Sequence, residues 1–131
     1  RYLMGVGRPT DIVRSVQLGI DMFDCVLPTR NARNGQLFTS QGIINIGNKV
    51  HKEAFDELDP NCNCYTCKNF SKSYLRHLFN IKEVLGLRLA TIHNLSYYMN
   101  LMDDIRNNIK QETFSIWSKD YLTRMNDYKG M

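Results

Sequence analysis

The run Cys62-Asn63-Cys64-Tyr65-Thr66-Cys67 constrains the fold of this chain more than any other stretch. A C-x-C-x-x-C knot gathers three thiols into six residues, too tight a grouping for ordinary core cysteines. Cysteines spaced like Cys62 and Cys64 also meet disulfide geometry poorly. Divalent zinc, in contrast, takes four N or S ligands in a tetrahedron, and structural sites fill all four positions. The knot therefore predicts a closed structural zinc site. His51, His77, His93 and Cys25 compete for the fourth position, and spacing alone does not separate them. Such a site staples a fold and runs no reaction.

The rest of the composition sets broad bounds. A chain of 131 residues, 43% hydrophobic and 23% charged, matches one ordinary globular domain. Two disulfides in a secreted protein are the competing use of four cysteines, but no secretory leader is read in the sequence. No apolar run is long enough to span a bilayer. Reduced, metal-bound thiols predict a cytoplasmic protein with no membrane partner. The formal charge of +4 permits an anionic partner without demanding one.

Hydrophobic patterning divides the chain into elements. Arg1-Tyr2-Leu3-Met4 predicts a buried strand entering the loop Gly5-Val6-Gly7-Arg8-Pro9. Thr10 is expected to cap a helix starting at Asp11, with Ile12, Val13 and Val16 inward and Gly19 as its stop. Met22 to Leu27 predicts a second buried strand, and strand–helix–strand implies parallel pairing. Two parallel strands cannot shield their own faces. The start thus reads as cut, either the tail of a larger α/β protein or a piece completed by a partner's strands.

Beyond Pro28, Thr29-Arg30-Asn31-Ala32-Arg33 reads as a polar loop and Asn34-Gly35 as a turn. Gln36 to Thr39 and Ile43 to Ile46 form a predicted antiparallel hairpin. Lys49 to Leu58 is weakly helical. Ser71 is expected to cap a helix carrying Tyr74, Leu75, Leu78 and Phe79. Leu89, Ile92, Leu95, Met99, Met102, Ile105 and Ile109 recur at spacings of three and four, which predicts a long amphipathic helix. Phe114 to Met125 predicts a last helix, with Ile116, Trp117, Tyr121 and Leu122 inward.

Asp24 interrupts the apolar second strand, and a carboxylate buried there without a partner is costly. One reading makes it a structural acid that caps the next turn or pairs with Arg30 or Arg33. The other places it at the C-terminal end of a parallel barrel strand, where α/β-barrel enzymes carry catalytic groups. Pattern alone leaves both open.

Arg1 to Gly7, the run from Gly19 through Asp24 to Gly35, and the set Cys62, Cys64, Cys67 and His93 together resemble the queuine tRNA-ribosyltransferase family, whose bacterial members are tRNA-guanine transglycosylases. The resemblance extends from Arg1 to about Phe114. Asn31-Ala32-Arg33-Asn34-Gly35-Gln36-Leu37-Phe38-Thr39 is similar to the bacterial branch, and Thr91-Ile92-His93-Asn94-Leu95 is a weaker motif; no motif is trusted after Phe114.

The resemblance implies the C-terminal part of a (β/α)8 barrel with an inserted zinc-binding subdomain. Residues 1–35 would hold the last two barrel strands, 36–93 the hairpin and zinc subdomain, and 87–131 the closing helices. It implies one structural zinc held by Cys62, Cys64, Cys67 and His93, leaving Cys25 as a buried bystander. Asp24 would be the nucleophile. Met4 and Gly5 would line the pocket for a 7-deazaguanine base. Gly5, Val6, Gly7, Arg8, Pro9, Thr10 and Asp11 would touch RNA, as would Thr29, Arg30, Asn31, Ala32 and Arg33, the stretch reading the wobble region. The implied partners are a tRNA with guanine at the wobble position and a second copy of the chain. Since a (β/α)8 barrel needs about 250 residues, the upstream acid/base and base-reading residues are absent, and these 131 residues alone are expected to be inactive.

Overall fold

The computed structural model describes residues 1–126. Two short strands, β1 (Tyr2–Met4) and β2 (Met22–Asp24), pair in parallel with Met4 opposite Asp24. The connecting helix α1 (Pro9–Gln17) supplies the crossover that parallel pairing requires. Its start differs from expectation: Pro9 sits at the first helical position and Arg8 precedes it, so Thr10 lies inside the helix and caps nothing. Proline suits that place, because its missing N–H would be unpaired there anyway. Gly19 ends the segment as expected, with φ at +99°.

Among the described residues no further strand covers the pair, as expected of two parallel strands by themselves. Tyr2, Met4 and Met22 are all exposed, and only the central Leu3 and Phe23 are half-buried. The second strand also stops at Asp24. Leu27 opens helix α2 (Leu27–Arg33), again with proline in its first turn. The expected polar loop Thr29 to Arg33 is therefore helical, and Ala32 on its inner face is fully buried.

Strands β3 (Gln36–Thr39) and β4 (Gly42–Asn45) form the antiparallel hairpin in the expected place. Between Lys49 and Leu58 only a 3-10 turn at Lys49–His51 is regular. Helix α3 (Tyr65–Asn69) runs through the cysteine knot. Helix α4 (Lys72–Asn80) starts under the Ser71 cap, whose hydroxyl accepts from the Tyr74 N–H at 3.1 Å. Helix α5 (Val84–Lys110) is 27 residues long, and α6 (Phe114–Asn126) folds back on it.

Two clusters make the core. One gathers Ala32, Leu37, Ile46, Leu58, Leu75, Leu78 and Leu89 around the knot. The other joins Ile12 and Val13 of α1 to Phe38, Tyr98, Leu101, Ile105 and Tyr121. A fully buried Leu or Ile stabilises by about 1.5–3 kcal/mol, so Leu37, Ile46, Leu75 and Leu89 carry much of the first cluster. Helix α5 borders both. Its buried face is Gly86, Leu89, Ala90, His93, Asn94, Tyr98, Leu101 and Ile105. Leu95, Met99 and Ile109 from the predicted stripe are exposed instead, and so is Ile116 on α6. The helix is rotated so that His93, Asn94 and Tyr98 point inward.

Candidate metal centre and catalytic rim

Cys62 and Cys64 lie in the turn before α3, Cys67 within it, and His93 reaches across from α5. The four ligand atoms all fall within 4.8 Å of one another. His93 Nδ1 is 3.8 Å from Cys62 Sγ, 3.6 Å from Cys64 Sγ and 3.3 Å from Cys67 Sγ. Tetrahedral zinc with ordinary Zn–S and Zn–N bonds sets its N and S ligands about 3.6 Å apart. The donor set and its spacing therefore fit a structural zinc. His51 and His77 are not part of the group, and Cys25 lies elsewhere.

The surroundings are tuned for a cation. The Cys64 N–H points at Cys62 Sγ and the Cys67 N–H at Cys64 Sγ, both at 3.4 Å. Hydrogen bonds from Cys62 and Cys67 pull the Cys64 thiol far below its usual range, whereas Cys62 and Cys64 push Cys67 far up. Three sulfurs this close resist ionising together unless a positive charge sits among them. Burial opposes a charged His93 ring, yet hydrogen bonding to Cys62 and Cys64 outweighs it and raises the ring to about 10. On its far side, His93 Nε2 donates to the Phe38 carbonyl at 2.7 Å. That bond leaves Nδ1 free for the metal and fixes the ring's orientation.

The rim at the C-terminal ends of β1 and β2 is built differently. Asp24 is exposed, and its Oδ2 accepts from the Tyr2 hydroxyl at 2.7 Å. The Asp24 hydrogen bond is the main reason the Tyr2 phenol is raised above its usual pKa, which keeps it a donor. Neither Arg30 nor Arg33 forms an ion pair with Asp24 among the described residues. The Gly5 N–H donates to the Asp24 carbonyl at 2.7 Å, which ties the start of the Gly5–Gly7 loop to the end of β2. Gly5 has φ at +79°, a conformation that favours glycine. Gly7 is glycine for another reason: a Cβ there would collide with the Cys25 side chain. Cys25 is half-buried rather than buried, and its sulfur accepts from the Leu27 N–H.

The other residues expected to form the site divide by exposure. Met4, Gly5, Arg8, Arg30 and Arg33 are exposed, while Val6, Thr10, Asp11, Thr29 and Asn31 are half-buried. Gly7, Pro9 and Ala32 are buried. Ala32 in particular packs in the core with Leu37 and Ile46, so its methyl shapes α2 and is not a contact surface. Arg8, Thr10, Asp11, Arg30 and Asn31 meet in one cleft of about 550 Å³, whose walls also include Gln36, Phe38, Tyr97 and Tyr121. Sequence reasoning placed Asn94 only within the motif Thr91–Leu95, without a role, and had no place for Tyr98. Asn94 is fully buried; its Oδ1 accepts from the Phe38 N–H at 3.1 Å, and its Nδ2 donates to the Pro28 and Gln36 carbonyls at 3.0 Å. Their helical spacing from Gly86 and Ala90 was the available signal.

Parallel β1–β2, a four-ligand Cys3His centre and an acidic strand end together define a mixed α/β chain stapled by metal. The family model described as queuine tRNA-ribosyltransferase matches residues 1–127, nearly the whole chain and further than the motifs reached. Similar proteins named queuine tRNA-ribosyltransferase occur in Francisella tularensis subsp. tularensis strain WY96-3418 and subsp. holarctica strain LVS. Each is 59% identical over 122 residues, covering 93% of this chain and 33% of the relative. The subsp. novicida strain U112 protein of that name is 58% identical over the same coverage. This chain belongs to the queuine tRNA-ribosyltransferase family. It spans about a third of the length of these curated relatives.

Proposed function

We propose that this chain is the C-terminal portion of a tRNA-guanine transglycosylase, and that Asp24 is its nucleophile. In this reading β1 and β2 are the last two strands of a (β/α)8 barrel, residues 36–93 the zinc subdomain and residues 87–131 its closing helices. The observation that carries the reading is the placement of Asp24. It is an exposed carboxylate at the C-terminal end of a parallel strand, oriented by the Tyr2 hydroxyl, with a glycine loop tied to its own carbonyl. Barrel enzymes collect their reacting groups at that end.

With Oδ2 held by Tyr2, we assign the attack to Oδ1. The oxygen bonds to the ribose anomeric carbon of the wobble guanosine as the bond to the base breaks. Guanine departs with a proton from an acidic residue in the upstream strands. The RNA is left as a ribosyl ester of Asp24. A 7-deazaguanine base then gives up its ring N–H proton to that same acid and attacks the anomeric carbon, releasing the Asp24 carboxylate. This is the double displacement of a retaining glycosidase with a base in place of water.

The cleft fits the RNA. Arg8 and Arg30 line the same cleft as Phe38 and Tyr97, and guanidinium groups suit phosphates and unstacked bases. Zinc closes its four protein ligands and activates no water there. Homodimerisation fits the exposed aromatic face of the zinc subdomain, where Phe70 stacks on Tyr74 at 5.5 Å beside Tyr65. No helix among the described residues is long and apolar enough to cross a membrane, and a cytoplasmic setting suits reduced thiols.

The test is incorporation of labelled guanine into tRNA by the full-length protein and by residues 1–131 alone. Exchange by the first and none by the second is the expected result. No exchange by the full-length protein, with tRNA binding retained, would leave a zinc-stapled RNA-binding module.

A further inference from the structure

Helix α5 reaches the Gly5–Gly7 loop through Tyr98. The Tyr98 hydroxyl, buried with its ring, donates to the Gly7 carbonyl at 2.5 Å across 91 residues of sequence. We propose that Tyr98 is a positioning residue: this hydrogen bond fixes the Gly5–Gly7 loop beside the end of β2, the strand that carries Asp24. The proposal rests on the function assigned above.

The loop needs an anchor, since two of its three residues are glycine and glycine gives the least backbone restraint. At its first residue the Gly5 N–H is tied to the Asp24 carbonyl. At its third, Gly7 packs against Cys25, the residue after Asp24. The Gly7 carbonyl is buried and precedes the helix, so without Tyr98 it would face the core unpaired, which is costly.

The phenol itself is rigidly set. Its ring stands edge-on to Phe38, with centroids 5.4 Å apart. Phe38 is pinned on both backbone atoms by α5: its N–H donates to Asn94 and its carbonyl accepts from His93. The residue that ligates the metal and the one that holds the loop thus share a support. Burial also pushes the Tyr98 phenol well above its usual pKa, so it remains a proton donor. A phenylalanine would fill the same space, and the hydroxyl alone reaches the loop.

Tyr98→Phe in the full-length protein separates these roles. Ser118→Ala is the control, because it removes another fully buried hydroxyl, the one that accepts from Gln17 between α6 and α1. Zinc content should match wild type in both variants, and Tm should fall modestly in each, since each leaves one hydrogen-bonding group without its partner. In Tyr98→Phe, hydrogen exchange at the Gly5 amide should quicken about tenfold and the kcat of guanine exchange should fall about tenfold, the scale of one lost hydrogen bond. Tyr97→Phe is not a suitable control, as Tyr97 lines the RNA cleft. Unchanged Gly5 exchange and kcat in Tyr98→Phe, or equal losses in Ser118→Ala, overturn the proposal. Should the wild-type protein lack transglycosylation, the functional reading fails, and Gly5 amide exchange still decides whether Tyr98 holds the loop.

Discussion

The metal centre and the rim around Asp24 are made in opposite ways. At the first, every polar group has a partner supplied by this chain. The knot's own N–H groups face its sulfurs, and His93 is braced by Phe38. At the second, Asp24 stands exposed with one phenol beside it, and the flanking side chains of Tyr2, Met4 and Met22 face outward. A site closed over itself serves stability. A carboxylate at a parallel strand end, held by a single phenol, is left free to meet another group.

If that division is right, damage at one site should spare the other. The largest effect is expected from Asp24→Asn in the full-length protein. With Asp24 as the proposed nucleophile, its loss should cut guanine exchange by at least about a thousandfold and abolish the covalent tRNA adduct. Zinc content, measured by atomic absorption, should stay normal. An adduct formed at wild-type yield removes Asp24 from the role.

His93→Ala should do the reverse. We expect zinc occupancy to collapse and stability to fall by about 3–5 kcal/mol, since metal binding and folding are linked. Thermal unfolding alongside metal analysis checks this, and full metal retention would point to a different fourth ligand. Asn94→Ala lies between the two. It strands the Phe38 N–H and the Pro28 and Gln36 carbonyls, at a cost of about 3 kcal/mol in denaturant unfolding. Zinc should remain bound.

Smaller effects belong to the outer face of the zinc subdomain. On the proposed dimer interface, Tyr74→Ala should weaken self-association about tenfold by sedimentation, with the metal untouched; an unaltered dimer, or no dimer in the wild type, would remove that interface. Least of all is Asp56→Asn. Hydrogen bonding from Lys72 holds the Asp56 carboxyl below its usual pKa. A depressed acid contributes stability above its unfolded value of about 3.9 and loses it as pH falls through the folded one. The Tm difference between Asp56→Asn and wild type should therefore be slight at neutral pH and vanish in acid.

Much of the metal half could be read in advance, since ligand spacing is local chemistry. The C-x-C-x-x-C run, the Ser71 cap and the hairpin lie where their residues direct. Less legible was which face of α5 turns inward. The stripe through Leu95, Met99 and Ile109 has helical spacing, yet those side chains are exposed and His93, Asn94 and Tyr98 are buried. Periodicity weighs apolar residues. It misses a face held by hydrogen bonds to distant carbonyls. The same blindness turned α2 into a loop: Thr29 to Arg33 is polar, but Pro28 presets the first turn and Ala32 docks it on the core.

Local chemistry thus dictated the three cysteine ligands, the parallel strand pair and the acid at its end, whereas the fourth ligand, His93, is brought in only by the packing of α5. The long-range fold chose which helix face would be buried, and with it the reach from Tyr98 to Gly7 and from Asn94 to Pro28. Those contacts join residues dozens of positions apart. Their energy exists only once the core has brought both ends together, and no window along the chain contains both.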